Sequence, residues 1–275
     1  MTSPTSSTQG SAGYTPATSV RGRIAWHDCM ASDLAGARAF YGAVLGWGEQ
    51  EFPMGDTPYV MWTVNGAPMG GFMPLPEEAK AHGAPQHWLT YFGTDDVDAS
   101  TAQVREAGGQ VMVPPQDIPT VGRFSVVSDP FGALFALYQP LQPSPEDAAL
   151  PAMGAASWHE LATTDSVAAR DFYGRLLGWE AMDEMDMGGG MMYRMFGRAG
   201  SMLGGIFDIT EQMQGMPPNW VPYFRVPNLG ATIEAVQAKG GTLLNGPMEV
   251  PGGDVIAQFT DPQGGYFCAH EVKAG

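Results

Sequence analysis

Apolar and polar positions follow two different periods along the chain, and each period predicts its own kind of element. Apolar residues spaced by three and four between Leu34 and Leu45 predict an amphipathic helix, and Asp33 has the position of its N-cap. Short apolar runs at 26–30, 59–64 and 67–72 predict strands around this helix. A helix framed by strands predicts a unit of the α+β class.

A second unit of the same kind follows directly. A predicted strand at 87–94 precedes a helical pattern at 97–107, and further strands are predicted at 110–113, 123–127 and 134–138. We therefore interpret each domain as two βαβββ units side by side. Together they form a curved mixed sheet with its helices on the convex face, and alternate strand residues line a cleft on the concave face.

The whole pattern then repeats at a fixed offset of 132 residues. The segment that begins with Trp26 returns at Trp158, and the same offset recurs for residue types that are individually rare. These include the pairs Phe40/Phe172, Tyr41/Tyr173, Trp47/Trp179, Trp88/Trp220, Tyr91/Tyr223 and Asp129/Asp261. One glycine pair, at 70–71 and 204–205, matches at 134 instead. A single offset held across so many rare residues indicates a duplicated domain.

The domain boundaries follow from the repeat and from local composition. We predict a first domain at 21–140 and a second at 155–275, with a proline-rich linker at 141–154. Residues 1–20 are rich in Ser and Thr and contain no apolar stretch, so we predict a disordered tail.

Charge and composition narrow the classes of partner. The net charge of −16 argues against nucleic acid and against an anionic membrane surface, because both need basic patches. No apolar run approaches the roughly 20 residues of a membrane-spanning helix. The two cysteines, Cys29 and Cys268, are interpreted as buried thiols in a reducing compartment. Without a recognisable export signal, we expect a cytoplasmic protein.

Two motifs carry a resemblance to a known family. The pattern D-x-x-x-A-x-x-F-Y-x-x-x-L-G-W occurs at 33–47 and 165–179, and the turn D-P-x-G occurs at 129–132 and 261–264. Both resemble the vicinal oxygen chelate superfamily, which includes glyoxalase I, extradiol dioxygenases and the fosfomycin and bleomycin resistance proteins. The resemblance covers about residues 22–273 and implies a tandem two-domain member.

The same resemblance implies where a divalent metal would be bound. The family's three ligand positions correspond to Trp26, Leu89 and Ala136 in the first half and to Trp158, Val221 and Cys268 in the second. Five of these six side chains cannot bind a hard metal. We therefore predict no metal ligands and no cofactor, while His27, His159, His87 and His270 lie one or two positions away and leave a divalent metal as an alternative.

A carboxyl group lies two residues after each first ligand position. The alternation of a strand places Asp28 beside Trp26 on the cleft face, and Glu160 beside Trp158 in the second copy. Near aromatic walls such a group would have a raised pKa, so Asp28 and Glu160 are the candidate catalytic acid–base residues. A structural role as hydrogen-bond acceptors is the alternative. His27 and His159 would point to the helix side.

Aromatic side chains and two histidines complete the predicted site. A flat apolar ligand would stack on such walls. The predicted ligand-binding residues are Trp26, Trp62, His87, Tyr91, Trp158, Tyr193, Trp220, Tyr223 and His270.

Three functions remain open from the sequence. The first is a glyoxalase- or bleomycin-resistance-like protein that binds a small aromatic or carbonyl compound in an apolar cleft without the usual metal. The second is a metal-dependent lyase or isomerase of the glyoxalase type, with a carboxylate base. The third is an extradiol-type dioxygenase, which needs a His-His-Glu iron site. In each case the partner is a small molecule, and the duplicated chain is expected to be a monomer.

Overall fold

A computed structural model describes residues 19–53, 59–81, 83–142, 151–213 and 215–273 of the chain. The predicted disordered tail at 1–20 and the predicted linker at 141–154 fall largely outside these ranges. Within them, Ser19 donates a hydrogen bond to the carboxylate of Asp95, at 2.7 Å. The last residues of the predicted tail are therefore held against the first half of the protein.

The first half forms one eight-stranded mixed sheet. Its strands are β1 (Ile24–Ala31), β2 (Gly48–Phe52), β3 (Tyr59–Val64), β4 (Ala67–Pro74), β5 (His87–Gly93), β6 (Gln110–Ile118), β7 (Gly122–Ser128) and β8 (Leu134–Pro140). They are ordered β2-β3-β4-β1-β5-β8-β7-β6. The central strand β1 pairs in parallel with β4 and antiparallel with β5, so the two predicted units join along β1 and β5.

The second half repeats this sheet strand for strand. Its strands are β9 (Ala156–Thr163), β10 (Glu180–Asp186), β11 (Met192–Arg198), β12 (Ser201–Asp208), β13 (Asn219–Arg225), β14 (Thr242–Glu249), β15 (Val255–Thr260) and β16 (Tyr266–Glu271). Their order is β10-β11-β12-β9-β13-β16-β15-β14. The predicted fold class, α+β with two duplicated mixed sheets, is confirmed.

The helices begin at the residues that the sequence indicates, except for a short one at Glu77–Ala81 that it did not predict. They are α1 (Leu34–Leu45), α2 (Glu77–Ala81), α3 (Val97–Glu106), α4 (Ser166–Leu177) and α5 (Leu229–Ala238). The carboxylate of Asp33 accepts a hydrogen bond from the backbone N–H of Gly36 and so caps α1. Gly46 ends α1 in the left-handed conformation, where a side chain would be strained. None of the helices in the described ranges is long and apolar enough to cross a membrane.

One strand of the first unit has no hydrophobic signature. In β2 the first four residues are exposed, and β2 pairs only with β3 at the end of the sheet. Such an edge strand is held by backbone hydrogen bonds, which any sequence can make. The alternation of apolar residues therefore could not predict it.

The helix-bearing faces of the two sheets pack against each other, and each half completes the other's core. One core combines Phe40, Trp47 and Trp62 of the first half with Phe224 and Phe267 of the second. The indole of Trp47 stacks on that of Trp62, with ring centroids 4.0 Å apart. The second core likewise combines residues of both halves. The two largest apolar cores are thus shared between the halves.

Two buried carboxylates fix this arrangement, and both belong to the D-P-x-G turns. Tyr41 of α1 donates a hydrogen bond to Asp261 in the other half, at 2.7 Å. Tyr173 of α4 donates to Asp129 in return, at 2.9 Å. Backbone N–H groups of the turn also donate to Asp129, which is 2% exposed. The tyrosine of each F-Y motif and the aspartate of each turn motif therefore join the two halves reciprocally.

At the centre of the contact lie two histidines. His27 of β1 and His159 of β9 are each 5% exposed, and their Nε2 atoms are 2.8 Å apart. One Nε2 must carry the hydrogen and the other the lone pair. Burial lowers the pKa of His27 well below its usual range, and the neighbouring His159 lowers it further. Burial also lowers the pKa of His159, to about 4. Both rings are therefore neutral near pH 7, and their predicted position on the helix side is confirmed.

The histidine pair predicts a pH-dependent stability. Because the folded pKa values lie below the unfolded value of about 6.5, the unfolded chain takes up protons that the folded protein does not. The contribution of the pair is complete above pH 6.5 and is lost as the pH falls towards 4. We expect the free energy of unfolding, measured in urea, to fall by up to about 1.4 kcal/mol per pH unit for each histidine.

A double variant, His27→Gln with His159→Gln, serves as the comparison. The buried carboxyl groups titrate in both proteins, so the difference between the two pH profiles isolates the pair. The variant should show a flatter profile between pH 4 and 6.5. Parallel profiles over that range would contradict the assignment.

Candidate functional site

The face of the first sheet that points away from the second half contains a cavity of about 190 Å³. We call it the first-sheet cavity. Its walls are almost entirely apolar or aromatic, and a single carboxyl group lies among them. The lining residues are Trp26, Asp28, Phe52, Tyr59, Met61, Met73, Tyr91, Ile118, Val121, Phe124 and Tyr138.

Asp28 of β1 organises the polar part of the cavity. Its Oδ1 accepts hydrogen bonds from the hydroxyl of Tyr59, at 2.5 Å, and from the indole N–H of Trp26, at 3.1 Å. Its Oδ2 accepts from the hydroxyl of Tyr91, at 2.7 Å. The same indole N–H also lies 2.8 Å from the Tyr59 hydroxyl oxygen. One carboxyl group thus links side chains from β1, β3 and β5.

A glycine on β4 makes this network possible. A Cβ atom on Gly71 would lie 1.8 Å from the hydroxyl oxygen of Tyr59, so the tyrosine ring crosses the strand where only glycine leaves room. On the opposite face, a Cβ atom on Gly70 would lie 2.2 Å from Nε1 of Trp62. The adjacent glycines thus let one ring approach the backbone from each side of the sheet.

Burial and hydrogen bonding act in opposite directions on the carboxyl group. Asp28 is 4% exposed, and desolvation raises its pKa above the usual range. Hydrogen bonds from Tyr59, Tyr91 and Trp26 favour the ionised form and offset part of this rise in pKa. Burial beside the carboxylate raises the pKa of both tyrosines, so their hydroxyl groups keep their hydrogens.

The second sheet contains the same arrangement with a longer carboxyl side chain. Tyr193 donates to Oε1 of Glu160 at 2.8 Å, and Tyr223 donates to Oε2 at 2.6 Å. The indole N–H of Trp158 donates to the Tyr193 hydroxyl, at 2.7 Å. Burial raises the pKa of Glu160. A Trp-Tyr-carboxyl-Tyr network therefore occurs twice, once on each outer face.

The positions that the family resemblance implies for a metal do come together. Trp26, Leu89 and Ala136 share one apolar cluster, and their counterparts Trp158, Val221 and Cys268 share another. The three positions that the resemblance implies thus lie close together in each sheet. The side chains there are an indole, an alkyl group and a methyl group in the first half, and burial raises the pKa of the thiol of Cys268 in the second.

These side chains do not fit a divalent metal. No three His, Cys, Asp or Glu side chains converge to a metal-binding geometry within the part of the chain that the structure describes. Both oxygens of Asp28 already accept hydrogen bonds from Trp26, Tyr59 and Tyr91, which present donors where a metal needs lone pairs.

Two of the predicted ligand contacts face the other way. Trp62 is fully buried between the sheets, and its indole N–H donates to the backbone carbonyl of His27, at 3.3 Å. Trp220 lies in the other core and donates to the hydroxyl of Tyr173, at 2.9 Å. Successive strand residues point to opposite faces, so Tyr59 and Met61 reach the cavity while Trp62 does not. The prediction for these two tryptophans is wrong.

The two candidate histidines lie at the ends of their strands. Nδ1 of His87 donates to the backbone carbonyl of Pro85, at 3.0 Å, and burial lowers its pKa. In the second half, His270 contacts Ser157 through Nδ1, at 2.9 Å, and Asp254 through Nε2, at 3.0 Å. Both nitrogens of His270 are therefore engaged. The roles of His87 and His270 in ligand binding stay predictions. The same holds for the other predicted contacts, namely Trp26, Tyr91, Trp158, Tyr193 and Tyr223.

The sequence missed Tyr59, which donates the 2.5 Å hydrogen bond to Asp28. A signal for it exists. Tyr59 matches Tyr193 at an offset of 134, the same shifted offset that relates Gly71 to Gly205. A Cβ atom on Gly205 would also collide with Tyr193. The tyrosine and the glycine beneath its ring are therefore shifted together by two residues, and the contact between them occurs in both halves.

The comparison with known proteins gives consistent matches over both halves. Residues 23–137 and 156–268 match the family described as the Glyoxalase/Bleomycin resistance protein/Dioxygenase superfamily. A protein of Mycobacterium tuberculosis named "Putative glyoxylase CFP32" is 34% identical over 244 residues, which cover 88% of this chain and 92% of the relative. "Anthracycline biosynthesis protein DnrV" of Streptomyces peucetius is 30% identical, with 92% and 94% covered.

Solved structures share the fold at low sequence identity. The Mn(II)-bound glyoxalase from Novosphingobium aromaticivorans superimposes with a TM-score of 0.61 at 18% identity, covering 92% of this chain and 82% of that one. The 2,3-dioxygenase LapB from Pseudomonas sp. KL28 gives a TM-score of 0.62 at 13% identity, with 94% of each chain covered. At these identities the likeness concerns the fold alone.

The requirement for glycine at position 71 can be tested directly. In Gly71→Ala the new methyl group displaces the Tyr59 ring, so we expect a loss of about 1–3 kcal/mol in the free energy of unfolding. Gly42→Ala in α1 is the matched control, because its Cβ atom meets only a backbone oxygen, at 3.6 Å. A helical glycine replaced by alanine should gain about 0.5–1 kcal/mol.

A second background identifies the cause of the loss. In a Tyr59→Ala protein the ring is absent, and Gly71→Ala should then cost much less than in the wild type. An equal cost in both backgrounds would show that the ring does not explain the glycine.

Proposed function

Because the chain belongs to the glyoxalase/bleomycin resistance protein/dioxygenase superfamily, as its motifs predicted, we propose that it binds a small planar organic compound in the first-sheet cavity without a metal ion. The observation that carries this proposal is the cavity itself. Its walls are apolar and aromatic, and one buried carboxyl group, that of Asp28, lies among them with its hydrogen-bonded tyrosines. Such a combination is typical of small-molecule sites.

The size of the cavity limits the ligand. At about 190 Å³ it is smaller than the roughly 300–1,000 Å³ of sites for drug-sized ligands. A compound of one or two rings fills it, whereas a larger one must extend out of the cavity. Aromatic rings on several walls favour stacked and edge-on contacts with a flat compound.

The names of the relatives agree with a ligand of this kind. One relative is named for anthracycline biosynthesis, and an anthracycline contains planar aromatic rings. That relative covers nearly the whole chain. An aromatic compound, or one end of a larger polycyclic compound, is therefore the ligand class that the walls and the relatives support together.

Binding can be tested with 2-naphthol as the probe, by fluorescence titration in EDTA. We expect saturable binding to the wild-type protein that is unchanged when Zn²⁺ or Mn²⁺ replaces EDTA. Val121→Trp places an indole in the cavity wall and should weaken binding at least about 10-fold, which corresponds to about 1.4 kcal/mol.

Leu244→Trp is the matched control, because it adds the same indole at a position 52% exposed on the second sheet. Binding to this variant should equal that of the wild type. Equal binding to both variants would place the probe elsewhere, and a strict dependence on added metal would contradict the metal-free site.

A second candidate function uses the same carboxyl group as a base. The observation in its favour is the raised pKa of Asp28, which suits transfer of a proton from the carbon beside a ligand carbonyl. The glyoxylase name of one relative agrees with it. Turnover of methylglyoxal with a thiol should then be lost in Asp28→Asn, and equal turnover in both proteins would exclude this role. An extradiol-type reaction is not proposed, because the residues do not fit its iron site.

A further inference from the structure

We propose that the compound bound in the first-sheet cavity is a small organic cation, an ammonium group carried on a compact aromatic body. This inference rests on the proposed function and adds the charge of the ligand to it. Three properties of the cavity support it: an uncompensated carboxylate, the absence of free hydrogen-bond donors and a wall of aromatic faces.

The first property is charge. Asp28 is the one carboxyl group among the described residues that line the cavity, and none of those residues is a lysine, arginine or histidine. The groups that favour its ionised form are hydrogen-bond donors, namely Tyr59, Tyr91, Trp26 and the backbone of Gly71. Each of them is neutral. A buried carboxylate without a positive partner is unfavourable, and a bound cation supplies that partner.

The second property is the direction of the hydrogen bonds. The hydroxyl groups of Tyr59 and Tyr91 and the indole N–H of Trp26 all donate towards Asp28. The remaining hydroxyl of the wall, on Tyr138, donates to the backbone carbonyl of Val121, at 3.4 Å. A carbonyl or an anion on the ligand therefore finds no free side-chain hydrogen in the described walls, whereas an ammonium group, which needs no directed lone pair, is attracted by the negative charge of Asp28 and by the ring faces.

The third property is the aromatic wall. Six of the eleven lining side chains are aromatic: Trp26, Phe52, Tyr59, Tyr91, Phe124 and Tyr138. The faces of such rings carry partial negative charge and attract an ammonium group, most strongly where water is excluded. A weakly hydrated quaternary or aryl ammonium thus loses little by entering. The net charge of −16 also attracts cations to the protein over a long range.

The test uses three phenols of similar size that differ in charge. They are (4-hydroxyphenyl)trimethylammonium, its neutral analogue 4-tert-butylphenol, and the anion 4-hydroxybenzenesulfonate. Calorimetric titration of the wild-type protein should give an affinity for the cation at least about 10-fold above that for the neutral compound, equivalent to about 1.4 kcal/mol. The sulfonate should bind more weakly than either. This ranking is measured on the wild-type protein alone, so it does not depend on whether a variant folds.

Variants then locate the source of the preference. Asp28→Asn keeps the shape of the side chain but removes its charge, and it should reduce the cation-to-neutral ratio at least about threefold, equivalent to about 0.7 kcal/mol, while the aromatic faces retain part of the preference. Glu106→Gln removes one charge from an exposed position of α3 in the same half, and the ratio should stay at its wild-type value. A ratio that keeps its wild-type value in Asp28→Asn, or that falls equally in Glu106→Gln, would overturn the assignment to Asp28.

The outcome separates this inference from the proposed function. If 4-tert-butylphenol binds as tightly as the cation, and Val121→Trp blocks it, the cavity binds small molecules but the inferred charge is wrong. If none of the three phenols binds, or if Val121→Trp leaves their affinity unchanged, the proposed site itself fails.

Discussion

The contact between the helix-bearing faces of the two sheets is the interaction on which the rest of this structure depends. Each half leaves apolar helix and strand surface that it cannot bury alone, and the other half covers it. Tyr41 with Asp261 and Tyr173 with Asp129 fix the registration, because each buried carboxylate needs the hydroxyl of the opposite half. Because these faces are buried against each other, only the opposite face of each sheet is left to bind a ligand.

The available face carries a carboxyl network where the family resemblance implies a metal. At those positions Trp26, Leu89 and Ala136 form an apolar cluster, and Asp28, two residues after Trp26, takes up three hydrogen bonds. A metal site presents lone pairs to a cation of high charge density. This site presents one carboxylate and aromatic faces, which suit a large, weakly hydrated ligand. Under the function proposed above, the same fold with these side chains binds an organic ligand in place of a metal.

Duplication has preserved the network more closely than the residues around it. Asp28 becomes Glu160, and the tyrosine that reaches it shifts together with the glycine beneath its ring. The ring and the glycine can change position only as a pair, since a Cβ atom at either glycine would occupy the space of the tyrosine. Ala136 of the first half corresponds to Cys268 in the second, so a thiol takes the place of a methyl group in the apolar cluster of the second sheet.

The sequence by itself determined the repeat, the α+β class, the helices with their caps and the family, because these depend on local spacing that a strand or a helix imposes on its own residues. It also placed Asp28 and Glu160 on the outer faces through the alternation of β1 and β9. It could not predict β2, whose exposed residues are held by backbone hydrogen bonds. Only the tertiary structure decided that Trp62 belongs to the core and Tyr59 to the site. The sequence of β3 has apolar residues on both faces and does not show which face is outward, whereas the structure places Trp62 over Gly70 on one face and Tyr59 over Gly71 on the other. The tertiary structure alone also joined the F-Y helices to the D-P-x-G turns of the opposite half, because that contact bridges more than 200 residues for Tyr41 and has no local pattern.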